Sequence, residues 1–186
     1  LLTGHGRYVD DLQPQHDRQG LLHVAFRRSE QAHARIVSID LSEALALPGV
    51  IAVLTAADLQ GLRGPVLASS RMKNYHATPI WPLAQDKVRY VGDHVAMVVA
   101  ETLEQARNAA ELVHVNYDVL PAVVDVRDAA KATALHEVAP DNHCYKWAIG
   151  DKAQVDAAFS KAAHITKLDL INNRLVPNPM EPRAAI

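Results

Sequence analysis

A chain of 186 residues has room for one domain, or one domain with an appendage, and at that size folding buries roughly 70% of the unfolded surface, enough for a core of its own. Its 19 basic and 21 acidic residues are interspersed to a net charge of -2, which excludes the basic stripe of a nucleic-acid binder; the Arg27-Arg28 pair is too short to serve as one. The single cysteine, Cys144, excludes an internal disulfide framework and any cysteine-rich zinc or iron–sulfur site, and no apolar run approaches the ~20 residues of a membrane-spanning helix.

The first residues, Leu1 to Gly6, lack the charged start and apolar core of a signal peptide. The cytoplasm is therefore the expected compartment, with the periplasm left open. Residues 21–27 alternate, placing Leu22, Val24 and Phe26 on one face of a strand, and residues 35–41 place Val37, Ile39 and Leu41 on one side of a second. A short helix is expected over Ser42–Leu47, stopped by Pro48-Gly49, and then a strand over Val50–Leu54. Residues 60–86, punctuated by Gly61, Gly64, Pro65, Pro79 and Pro82, hold no period. They read as a surface excursion, or as a loop that packs on a partner or shapes a substrate entrance.

Order returns with strands at Lys87–Val91 and Val95–Ala100, the latter a continuous apolar run suited to burial on both faces. Thr102 and Gln105 form a capping box for a helix with Leu103, Ala106 and Ala110 on its inner stripe. Residues 112–119 alternate, with Val113, Val115, Tyr117 and Val119 on one side, until Pro121 ends the strand. After a loop at about 131–150, Asp151 caps a helix carrying Val155, Ala158, Phe159 and Ala162 at helical spacing. A further strand is expected over Ile165–Leu170, and an apolar pattern is under way where the chain stops at Ile186. No internal repeat or low-complexity tract interrupts this order.

The residues assemble no active site. None of the ten histidines has the i, i+4 pairing of a helical metal site. The neighbours His143 and Cys144 suit one tetrahedral ion poorly. Gly4-His5-Gly6 lacks the third glycine and the preceding strand of a dinucleotide fingerprint, and neither a P-loop nor a G-x-S-x-G elbow occurs. The Asp10-Asp11 pair reads as a turn or cap. His33 and His94 read as structural or interface histidines ahead of proton carriers. The catalytic, cofactor-binding and metal assignments within this chain are accordingly none.

Six segments in series carry a resemblance: Gly6-Arg7-Tyr8-Val9-Asp10-Asp11-Leu12, Ala32-His33-Ala34-Arg35-Ile36-Val37-Ser38-Ile39-Asp40, Pro48-Gly49-Val50-Ile51-Ala52-Val53-Leu54-Thr55-Ala56-Ala57-Asp58, Val88-Arg89-Tyr90-Val91-Gly92, Val95-Ala96-Met97-Val98-Val99-Ala100-Glu101-Thr102, and Val115-Asn116-Tyr117-Asp118-Val119-Leu120-Pro121-Ala122-Val123. The series resembles the α/β-hammerhead domain in the molybdopterin-binding large subunits of xanthine dehydrogenases, aldehyde oxidases and carbon monoxide dehydrogenases. Asn178-Pro179-Met180-Glu181-Pro182-Arg183 resembles the start of that family's cofactor domain. Two places depart from the family pattern: Asp93-His94 after Gly92, and Glu30-Gln31 after Ser29.

The resemblance implies an α+β fold, a mixed sheet with short helices. Residues 1–135 would form the hammerhead, and 136–186 a connector with the first elements of the molybdenum-cofactor domain. It implies a molybdenum-dependent oxidoreductase acting at an electron-poor carbon, with molybdopterin in the complete enzyme and electrons leaving through 2Fe-2S and FAD groups on partner domains or subunits. The family's catalytic glutamate and cofactor-binding segments lie downstream of Ile186, so Glu181 is not that base and this segment alone is expected to be inactive. Its expected partners are the remainder of its subunit, the FAD and iron–sulfur subunits and a small-molecule substrate, with no nucleic acid and no membrane. The alternative is a stand-alone, non-catalytic binding module that kept the hammerhead fold.

Overall fold

The structure, a computed structural model, describes residues 3–6, 8–9, 20–62, 64–68, 72, 74–173 and 175–179. The chain divides into two compact units, residues 19–147 and residues 1–18 with 148–186.

In the larger unit the elements run β1 (His23–Arg28), β2 (Ala34–Asp40), α1 (Ser42–Ala46), β3 (Val50–Thr55), β4 (Val66–Leu67), β5 (Pro79–Ile80), β6 (Lys87–Val88), β7 (His94–Ala100), α2 (Leu103–Glu111) and β8 (His114–Val119). They form a β1-β7-β3 sheet, a β6-β2-β8 sheet and a β4-β5 ribbon, and every pairing among them is antiparallel. A 3-10 turn at Ala129–Lys131 follows.

β7 is the middle strand of its sheet, and Val95, Ala96, Val98 and Ala100 are buried, as its unbroken apolar run requires. Ala96 and Val98 point into a core completed by Ala44, Val53, Ala109, Ala110 and Val113. Alanines dominate the helix side of this core, so α2 lies close on β1 and β7. Val95 belongs instead to a second core with Ala34, Ala84 and Val88. The strand–helix–strand unit thus joins two sheets: β7 pairs with β1 and β3, whereas β8 pairs with β2.

Three sequence expectations in this unit are corrected. Val37 does not share a buried side with Ile39 and Leu41. The β2–β8 register shifts between Ile36 and Ser38, and this bulge leaves Val37 67% exposed while Ile36 and Ile39 pack on the cores. The strand expected over Lys87–Val91 stops at Val88. Tyr90 to Asp93 close a turn with Asp93 N–H donating to Tyr90 O at 3.2 Å, made possible by Gly92 at φ +95°. In α2 the inner stripe is Ala106, Ala109 and Ala110, and Leu103 is exposed. Inside the excursion at 60–86, Val66 pairs with Ile80 and Leu67 with Pro79, a local ribbon too short to show a period.

In the smaller unit, α3 (Lys152–Ser160) is capped by Asp151, whose side chain accepts from Gln154 N–H at 3.1 Å. None of its residues is buried, and Val155 and Phe159 of the expected stripe are exposed. Residues 164–173 form no strand. A strand exists through its ladder partner, and among the described residues this unit has no other strand. Arg7, Asp10, Asp11, Leu12 and Arg174, and residues 180–186 with Glu181, lie outside the described residues.

The capping box of α2 forms as the sequence reads. Gln105 N–H donates to Thr102 Oγ1 at 3.2 Å, and Thr102 N–H donates to Gln105 Oε1 at 3.0 Å. Gly49 packs directly on it: at φ +79°, a Cβ there would lie 2.5 Å from Gln105 Cδ and 2.6 Å from Oε1, while Gly49 O accepts from Glu101 N–H at 2.9 Å. Gly49→Ala should therefore destabilise the fold by about 2–4 kcal/mol, from left-handed backbone strain and a displaced cap together. Urea unfolding measures it. In a Thr102→Ala background the same change should cost less, because the cap is already lost; full additivity would refute the coupling.

Candidate functional site

Two features of the larger unit merit a chemical test. The first is a cleft of about 160 Å³ lined by Ala56, Leu59, Gln60, Gly61, Trp81, Pro82, Leu83 and Gln85. The turn that forms one wall is held by Asp58, whose Oδ2 accepts from Thr55 N–H at 2.7 Å and from its hydroxyl at 3.0 Å. Those two donors keep the Asp58 carboxyl below the usual carboxylate range. Among the described residues the lining has no titratable side chain, and the volume falls below the ~300 Å³ of an ordinary small-molecule site.

The second feature is a polar junction where the end of β1, the turn before β7, the end of β8 and the 129–142 loop converge. Ser29 is 3% exposed. Its N–H donates to Asp93 O at 2.8 Å and its carbonyl accepts from Gly92 N–H at 2.7 Å; its hydroxyl donates to Gln31 O at 2.9 Å. Arg27 pairs with Glu30 at 3.0 Å, and Arg28 Nη1 donates to Gly92 O at 3.4 Å. Arg89 N–H donates to Asp93 Oδ2 at 3.1 Å, and its Nε donates to Leu135 O at 2.9 Å. The two family departures, Glu30-Gln31 and Asp93-His94, are therefore neighbours in space although some sixty residues apart in the chain.

His33 is buried, with Nδ1 2.8 Å from Pro121 O. A carbonyl only accepts, so Nδ1 carries the proton, and Leu120 N–H returns a bond to His33 O at 2.9 Å. This latch ties the end of β8 to the β1–β2 loop and makes His33 structural. His94 stacks on Phe26 with ring centroids 4.3 Å apart. The loop that carries His136 is held by Asn142, which sits at φ +57°. The Asn142 side chain donates to Ala129 O at 2.8 Å and accepts from Leu135 N–H at 2.8 Å. His143 lies against Asp141 at 3.3 Å, while Cys144 contributes its carbonyl, accepting from His76 N–H at 2.7 Å.

Sequence reading singled out His33 and His94 but missed Ser29, Arg27, Tyr117 and His136. The available signal was the Arg27-Arg28 pair closing an apolar strand, followed by the small polar Ser29. The Arg27 Nε, Tyr117 hydroxyl and His136 Nδ1 are buried without a hydrogen-bond partner among the described residues.

Among the described residues no three His, Cys, Asp or Glu side chains are grouped to hold a metal ion. A phosphate-bearing pterin cofactor would need a cradle of converging backbone N–H groups or free cations. Here the N–H groups of Ser29, Gly92 and Asp93 bond to carbonyls, and Arg27, Arg89 and Lys87 are engaged by Glu30, Leu135 and Glu137. The described residues of the junction do not fit molybdopterin, so no catalytic step is assigned to them.

The junction has a pH signature. Burial, and then the Arg28 charge, push the His94 pKa down; burial, and then Arg89 and Lys87, push His136 down. The unfolded chain takes these protons at the ordinary imidazole pKa of about 6.5 while the folded chain resists them. Their contribution to stability is complete above that pH and lost as pH falls through the two depressed native values. The melting temperature should thus hold steady above about pH 7 and decline below about 6.5. A His94→Phe, His136→Phe double variant should flatten that decline in circular-dichroism melts, and an unchanged decline would clear both histidines.

Comparison with known proteins now gives the fold a family. Residues 3–121 match the family model described as aldehyde oxidase and xanthine dehydrogenase, a/b hammerhead domain. The carbon monoxide dehydrogenase large chain of Afipia carboxidovorans is 40% identical, over 96% of this chain and 23% of its own length. The nicotine 6-hydroxylase large subunit of Paenarthrobacter nicotinovorans is 36% identical, over 100% of this chain and 22% of its own. Among solved structures, quinoline 2-oxidoreductase from Pseudomonas putida 86 superposes with a TM-score of 0.63 at 44% identity, covering 69% of this chain and 16% of that one. A Cu,Mo-CO dehydrogenase superposes at 0.67 and 39% identity, covering 88% of this chain and 21% of that one. The chain spans less than a quarter of the length of these relatives. It belongs to the aldehyde oxidase and xanthine dehydrogenase family, with an α/β-hammerhead domain over residues 3–121.

Proposed function

We propose that this chain is the hammerhead portion of the large subunit of a molybdenum-dependent hydroxylase or dehydrogenase, and that its work there is structural. It supports a cofactor domain supplied by the rest of the subunit and carries no reacting group. In this reading residues 1–135 are the hammerhead and 136–186 lead into the cofactor domain. Iron–sulfur and FAD partners take the electrons, and the assembly is cytoplasmic.

The observation that carries the reading is the alignment itself: about two residues in five are identical along nearly the whole chain, to under a quarter of a large oxidoreductase chain. The interior explains why no chemistry is assigned here. The junction's Arg27, Arg89 and His33 are committed to carbonyls and a carboxylate of their own fold, and the cleft is small, with no acid or base among its described lining residues.

Substrate choice lies elsewhere in the enzyme. Relatives named for carbon monoxide, nicotine and quinoline stand within a narrow range of identity, 36% to 44%, so the segment is shared across unlike substrates.

The test is molybdenum analysis of two purified proteins, the product of the complete reading frame and residues 1–186 alone. The expected result is about one molybdenum per complete subunit, with none bound by the 186-residue chain. A complete product without molybdenum, and without a molybdenum-bearing partner, would replace this reading with that of a stand-alone binding module.

A further inference from the structure

A histidine stands where β7 begins, packed against both the sheet and the end of the 60–86 excursion. His94 lies at one of the two places where the chain departs from its family's pattern. Its ring stacks on Phe26 of β1, with centroids 4.3 Å and planes 16° apart. The Pro82 carbonyl also faces the ring, and Ala84 N–H donates to the His94 carbonyl at 2.7 Å. Pro82, with its neighbours Trp81 and Leu83, forms one wall of the 160 Å³ cleft. One residue thus ties that wall to the sheet through both its ring and its backbone.

Charge on this ring is poorly accommodated. The side chain is half-buried, and burial weighs most against its protonated form, followed by the Arg28 guanidinium. Arg28 stands opposite His94 in the β1–β7 register. Asp93 and the Pro82 carbonyl favour the charge but do not outweigh those two. The Asp93 carboxylate already accepts from Arg89 N–H at 3.1 Å, and the Tyr90 hydroxyl nearby feels the same Arg28 and Asp93 charges. Residues 81–85 bring no titratable side chain to the ring. Phe26 is fixed by its ladder to Met97, and an aromatic face tolerates a cation. Pro82 lies in a loop, and among the described residues between β3 and β6 the paired strands are the two-residue β4 and β5. Relief comes from the Pro82 side, where a small opening admits water to the ring.

We propose that His94 is a proton-operated clasp: neutral, it holds the Trp81–Ala84 wall against β7; protonated, it releases that wall and widens the cleft. The closed ring binds a proton less tightly than the open one, whose imidazole has the ordinary pKa of about 6.5. Closure is therefore complete above that pH and weakens as pH falls below it.

The test is hydrogen exchange read by mass spectrometry on the product of the complete reading frame. Exchange is compared at about pH 7.5 and about pH 5.5, corrected for the intrinsic effect of pH. Peptides covering residues 81–85 should lose about threefold or more of their protection at the lower pH, while those of α2 and of β7 beyond Val95 keep theirs. His94→Gln and His94→Phe should each abolish that loss, and Arg28→Gln should reduce it because the repelling charge is gone. Protection at 81–85 that does not respond to pH, or that falls as far in a folded His94 variant, would overturn the clasp. Loss shared by the β7 and α2 peptides would overturn it too, since it marks unfolding of the whole unit.

Discussion

The middle strand of the three-stranded sheet, β7, is the constraint on which the other elements rest. It bonds on both edges, to β1 and to β3, and both its faces are apolar, so every direction perpendicular to the strand is specified. Ala96 and Val98 set the distance at which α2 can lie, and Val95 reaches into the second core. Small residues at these positions are a packing requirement: a larger side chain at Ala96, Ala109 or Ala110 would separate helix from sheet, because interiors at crystal-like density have no slack. β8 enters the second sheet only because α2, held on β7 and β1, delivers it there.

Irregularities re-aim side chains that alternation alone would misplace. The bulge at Val37 lets Ile36 and Ile39, three residues apart, both face inward. A second shift, between Arg27 and Arg28, falls where β1 meets the turn that starts β7. There the backbone of Ser29 is bonded to Gly92 and Asp93 in both directions. This cross-link gathers the arginines, His94 and Tyr117 into the junction. Polar groups so placed serve specificity of the fold more than net stability, since their desolvation offsets much of what their hydrogen bonds return.

A segment of this kind makes sense as part of a larger machine. Among the described residues Arg27, Arg89 and His33 hold the segment's own loops, and the cleft beside Trp81 is small for a cofactor. The family relationship agrees with that physical picture: unlike substrates are served by proteins that share this portion.

Local chemistry made much of the fold legible in the sequence. The Thr102–Gln105 capping box, the Asp151 cap and the stop at Pro48-Gly49 depend only on residues within one turn of each other. The unbroken apolar run of β7 announces burial on both sides wherever the strand is placed. The order of six motifs was enough for the family. Tertiary structure alone decided which face of β1 looks inward, because Leu22, Val24 and Phe26 alternate in the same way whichever face is buried, and it is Ala25 that packs on the core. It alone decided the reversal at Val37, since a bulge is set by the partner strand's register, and the loss of a strand at 165–170, since a ladder needs a second strand. It alone brought Glu30 and Asp93 together. Short-range energies are written in neighbouring residues, but register, sidedness and long-range polar contacts are set by where the chain returns.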